Sequence, residues 1–136
     1  MIVLTVVVHV YSLAFIGERV MGDLHEEIRY GTFVPRFALV MGVASMLVTV
    51  VHGFEAGIWA AAYRIIGALP NNKAAMLYSL GAMTTYGHAE LYLKDDYQLM
   101  GTFEALNGML LFGLTTAFLF AMIQRVWPLG GKLTRN

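Results

Sequence analysis

Three long apolar runs, separated by two polar stretches, organise the chain. The first covers Ile2 to Val20 and ends with Glu18 and Arg19. The second covers Phe33 to Leu69, with Pro35 in its first turn, where a missing amide costs nothing. The third covers Tyr97 to Trp127, and Pro128-Leu129-Gly130-Gly131 is expected to stop it. A hydrocarbon layer of ~30 Å takes about 20 helical residues at ~1.5 Å each. Each run therefore predicts a membrane-spanning helix, the second and third with turns to spare. The first run lacks a basic leading region, and Gly17-Glu18-Arg19 makes a poor cleavage site, so a retained helix is expected rather than a secretory leader.

The two polar stretches differ in kind. Gly17 to Thr32 carries Glu18, Arg19, Asp23, Glu26, Glu27 and Arg29, which allows a surface helix but no span. Pro70 to Asp96 opens with the turn Pro70-Asn71-Asn72-Lys73 and then turns apolar from Ala74 to Met83. That short run cannot cross a bilayer and is too apolar for an ordinary loop, so it predicts a re-entrant or interfacial helix.

Composition sharpens the membrane reading. Of 136 residues 58% are hydrophobic and 13% charged, with mean hydropathy +0.64. A soluble domain carries about 25% charge. Formal net charge is zero, which gives no electrostatic reason to expect nucleic acid as a partner. There is no cysteine, which removes disulfides and thiolate chemistry. No nucleophile–base pairing or phosphate-binding loop stands out, so no enzymatic activity is expected. Arg19, Arg29 and Arg36 cluster after the first run, and Arg125, Lys132 and Arg135 after the third. Since positive residues favour the cytoplasm, a multi-pass inner-membrane protein with its N-terminus outside and C-terminus inside is expected.

The loop after the short helix reads Thr84-Thr85-Tyr86-Gly87-His88-Ala89-Glu90. Non-helical backbone at membrane depth must be buried in protein or line a watery cavity. Carbonyls and threonine hydroxyls there can replace water around a cation. The helix before it aims its partially negative carbonyl end at that cation. These residues resemble the filter of the two-helix, voltage-independent bacterial potassium channels, often called two-pore-domain-like, which has the form Thr-Thr-Val-Gly-Tyr-Gly-Asp. Thr84, Thr85 and Gly87 match it, and Glu90 stands for its aspartate. Tyr86, His88 and Ala89 depart from it. His52, Glu55, Trp59 and Tyr63 with Gly67-Ala68-Leu69-Pro70 resemble that family's outer helix. The segment Glu104 to Gly108, followed by Leu111 to Ala117, resembles its inner helix.

The resemblance spans roughly Phe33 to Trp127. It implies an all-α membrane fold: three transmembrane helices, a re-entrant pore helix and filter-like loop, and a homotetramer. Residues 1–32 add a helix and linker, 33–127 form the pore-loop domain, and 128–136 a short cytoplasmic tail. Thr84, Thr85, Tyr86 and Gly87 would coordinate a potassium or other monovalent cation, and His88, Ala89 and Glu90 would form the outer mouth. Glu104 and Asn107 would brace the filter from behind. Glu55, at membrane depth, would be a pore-region carboxylate on the ion pathway or a structural group bonded to the pore helix or to Arg64. Gly108 and Gly113 offer a gating bend or close helix packing, and Thr115 and Thr116 face a cavity or bond to their own helix. No resident cofactor or metal is expected beyond the permeating ion. An alternative is a non-conducting accessory subunit of a larger membrane complex, to which the departed filter residues point. His9 and His52 add a third idea, two axial ligands for a haem.

Overall fold

The computed structural model describes the backbone of residues 1–27, 33–87 and 91–133, and the side chains of 1–20, 34–87 and 91–125. All regular structure among these residues is helical. Helix α1 spans Ile2–Glu27, α2 Phe33–Ile65, α3 Asn72–Met83 and α4 Gln98–Leu133, with a 3-10 turn at Asp95–Tyr97 before α4. Helices α1, α2 and α4 contain the three segments long and apolar enough to cross a membrane: Ile2–Val20, Val34–Ile65 and Asp95–Arg125. Their outer faces are apolar. Val3, Leu39 and Leu99 are 76%, 66% and 74% exposed, a surface that water solvates badly and lipid solvates well.

Helix boundaries follow local chemistry. The end of α2 comes before the expected Leu69, because Gly67 adopts φ +70 and closes a Schellman motif. In that motif Ala68 N–H donates to Tyr63 O at 2.9 Å and Gly67 N–H to Arg64 O at 3.2 Å. The start of α3 is capped by Asn71, whose side chain accepts from Ala74 N–H at 2.8 Å. Arg64 spans the turn between them, donating to Leu69 O at 2.7 Å and to Asn72 Oδ1 at 2.9 Å. In contrast to the expected stop at Pro128, α4 continues to Leu133. A late proline removes one intrahelical bond, which membrane-type helices tolerate.

The short α3 packs against both α2 and α4. Its buried residues are Ala74, Ala75, Ser79, Gly81 and Met83, small except at the end, so its backbone comes close to its neighbours. One core, built on Trp59, Tyr63, Ala75, Met83 and Leu111, joins these three helices. A second, with Leu13, Ile16, Ala44, Val48 and Met122, joins α1 to α2 and α4.

The two glycines considered for a bend in α4 differ sharply. A methyl group on Gly108 would overlap the backbone of Met83, whereas one on Gly113 would meet nothing within 4 Å. Gly108 is thus the place where α3 and α4 touch backbone to backbone. Gly108→Ala is expected to lower stability by about 1–3 kcal/mol through overpacking. Gly113→Ala should change it by less than about 1 kcal/mol. Thermal unfolding of both variants in one detergent checks the difference.

Candidate functional site

Six polar residues lie in the interior. Thr5, His9, Glu55, Ser79, Glu104 and Asn107 are all fully buried, which among apolar helices demands partners for every donor and acceptor. They form two clusters and a separate Thr5–Asn107 pair.

The first cluster joins three helices. His9 of α1 meets Glu55 of α2 through Nδ1 and Oε1 at 2.9 Å. His52, one turn before Glu55, brings its Nδ1 to 3.3 Å from Oε2. That approach lacks hydrogen-bond alignment, so His52 Nδ1 and Glu55 Oε2 both remain without a hydrogen-bond partner. The remaining nitrogens of both rings converge on one hydroxyl, Thr115 Oγ1 of α4, each at 3.1 Å. Phe112 stacks on the His52 ring at 4.3 Å between centroids and covers its outer side.

This geometry revises two expectations. Glu55 does not reach α3 or Arg64; its oxygens face the two histidines of α1 and α2. The signal in the sequence was the spacing His52-x-x-Glu55, which puts both on one helical face. The His9 partner carried no such signal, because it comes from a different helix. A haem between His9 and His52 does not fit either. Their ring centroids lie 5.0 Å apart with a carboxylate bridging them, which leaves no room for a macrocycle.

The second cluster lies between α2, α3 and α4. Tyr63 Oη donates to Glu104 Oε2 at 2.6 Å. The Ser79 hydroxyl pairs with Glu104 Oε1 and also lies 2.7 Å from Ala56 O. Ser79 has one proton for two acceptors. All three groups pair when Glu104 Oε1 carries a proton donated to Ser79, which then donates to Ala56 O. Glu104 thus ties α4 to the middle of α3. Asn107, one turn further on, does not touch α3; it donates from Nδ2 to Thr5 Oγ1 of α1 at 2.8 Å.

Beyond α3 the chain runs through four exposed residues. Thr84 has φ −85, Thr85 φ +58 and Gly87 φ +72, while Tyr86 between them is not left-handed. The amides of Thr84, Thr85 and Gly87 turn back to Leu80 O, Ala82 O and Gly81 O, at 3.0, 3.1 and 3.1 Å. Every peptide here is trans, so the carbonyls of Thr84 and Tyr86 point the opposite way, outward from the helix end, while Met83 O abuts Gly108 of α4. The Thr84 hydroxyl itself bonds back to Leu80 O at 2.7 Å. His88, Ala89 and Glu90 lie outside the described residues. Thr116 bonds to Phe112 O of its own helix at 2.9 Å.

The Glu104 arrangement makes an unusual mutational prediction. Glu104→Gln can donate to Ser79 through its amide nitrogen and accept from Tyr63 through its oxygen, so stability should stay within about 1 kcal/mol of the parent. Glu104→Leu strips Tyr63 and Ser79 of their shared partner, and a loss of about 1–3 kcal/mol is expected. Chemical unfolding of both variants in mixed micelles reads the difference.

No protein-family model matches the chain, and neither a curated protein nor a solved structure shows significant similarity to it.

Proposed function

We propose that the chain is the pore-forming subunit of a passive cation channel, in which several copies bring the loop from Thr84 to Gly87 around a common axis. The carrying observation is the backbone of that loop. The amides of Thr84, Thr85 and Gly87 are held by the last turn of α3, and the outward carbonyls of Thr84 and Tyr86 extend the negative end of the helix. Such a fan of carbonyls attracts a cation and can replace part of its hydration shell. One fan cannot enclose an ion, so a homotetramer is part of the proposal, in line with the resemblance to two-helix potassium channels.

The depth of the contacts supports a re-entrant α3. Ser79 meets Ala56, nine residues before the end of α2, and Met83 meets Gly108, ten residues after the start of α4. At ~1.5 Å per residue, these contacts lie roughly 14–15 Å from the ends of the two long helices. α3 thus enters beside α2 and ends near mid-depth, and its carbonyl end faces the interior of the layer. Glu104 holds the middle of α3 through Ser79. Gly108 serves close approach rather than a bend, and Thr115 is engaged by the histidines instead of a cavity.

Thr85 is a β-branched residue in the left-handed region, a conformation that stores strain of order 1–3 kcal/mol and clusters at functional sites. Purified protein in liposomes is expected to pass potassium down its gradient. Gly87→Asp should abolish the flux while leaving the particle size unchanged. Thr85→Gly should relieve strain, raise stability by about 1 kcal/mol and weaken discrimination between potassium and sodium. Absence of flux from a correctly sized particle overturns the proposal. If that silent protein co-purifies with another membrane complex, it is an accessory subunit instead.

A further inference from the structure

The cluster of His9, His52 and Glu55 is not used by the ion path proposed above. From its geometry we propose that these three side chains bind one divalent transition-metal ion, of the zinc and cobalt class, between α1 and α2.

The ligand set is two imidazole nitrogens and one carboxylate oxygen, all within 4.8 Å of one another. The nearest approaches, 2.9 Å from His9 Nδ1 to Glu55 Oε1 and 3.3 Å from His52 Nδ1 to Oε2, involve the two different carboxylate oxygens, either of which could serve as the ligand after a small shift. Bonds of ~2.0–2.1 Å in a tetrahedron give ligand–ligand edges of roughly 3.3 Å. Imidazole with carboxylate is a donor set that zinc, nickel and iron accept, and alkali cations do not seek it. Glu55 is fully buried, and its Oε2 has no hydrogen-bond partner although it points into the cluster.

The hydroxyl of Thr115 limits the choice of tautomers. Every hydrogen bond of the group is met when His52 carries its proton on Nε2: it donates to Thr115, Thr115 donates to His9 Nε2, and His9 Nδ1–H donates to Glu55 Oε1. The unprotonated His52 Nδ1 and Glu55 Oε2 are then left facing each other lone pair to lone pair, 3.3 Å apart, without a hydrogen-bond partner. A metal on both Nδ1 atoms removes this conflict. Both Nε2 atoms become N–H donors, and the two lone pairs of Thr115 Oγ1 accept one each. Ligand histidines characteristically donate their second N–H in this way, which fixes the tautomer and the ring orientation. Thr115 is therefore a positioning residue that serves two ligands at once. The ion would have an open fourth position on the side of His52, whose side chain is 12% exposed while those of His9 and Glu55 are fully buried.

A single added proton is the competing resolution, since it too would let every contact in the ring hold one hydrogen. The experiment separates the two. Tag-free protein in detergent is stripped with a chelator and titrated with cobalt(II) at constant pH. The visible bands of a four-coordinate cobalt–imidazole complex are expected to saturate at one equivalent per chain and to vanish on addition of zinc. X-ray absorption of the wild-type cobalt complex should show two imidazole nitrogens and needs no variant. Thr115→Val keeps the ligands and should weaken binding about 10- to 100-fold, and Glu55→Gln should abolish the bands. Helical, correctly sized protein without cobalt bands overturns the proposal and leaves the proton as the occupant. Bands that persist unchanged in Glu55→Gln overturn it as well, because the metal is then bound elsewhere. Flux measurements play no part, so this inference and the channel proposal fail independently.

Discussion

A carboxyl group among apolar helices must have each oxygen hydrogen-bonded, and this requirement determines how the chain packs. Glu104 meets it with Tyr63 from α2 and Ser79 from α3, and Glu55 meets it in part with His9 from α1. Each acid therefore joins its own helix to others. Dispersion between apolar side chains would hold the helices together in many registers, since lipid is an equally good neighbour. The two acids select one register, because any slide along the axis strands a donor or an acceptor in a medium without water.

The polar interior also makes α1 integral to the molecule. Thr5 meets Asn107 and His9 meets Thr115, so one turn of α1 is matched by two turns of α4 running in the same direction. Close to these contacts the small side chains of α3 allow its backbone to lie against Gly108. Short range and polar matching thus operate side by side: sterics set how close α3 comes, and hydrogen bonds set where along α4 it stops. The loop inherits its geometry from both, since its amides are bound to the final turn of α3.

Much of the architecture was legible in the sequence, because length and apolarity are local properties. The three long helices and the short one fall where the runs of hydrophobic residues lie, and Pro35 and the Pro70 turn mark boundaries by local stereochemistry. The stop expected at Pro128 failed because propensity measured in water overstates the effect of a proline in an apolar helix. The membrane-depth acids were recognisable as unusual, yet their partners were not. His52 shares a helical face with Glu55 and could be paired from spacing alone. His9, Tyr63 and Thr115 come from other helices, and no pattern along one chain records which faces will meet. The left-handed φ of Thr85 was equally hidden, since a β-branched residue predicts extended backbone there.

The clasp that Arg64 makes across the turn from α2 to α3 has a mechanical consequence. Its guanidinium holds Leu69 O and Asn72 at the start of α3, and Glu104 holds Ser79 at its centre. A rod fixed at two points along its length can neither pivot nor slide. Any motion that alters the tip of α3 must therefore move α2 and α4 with it as one piece.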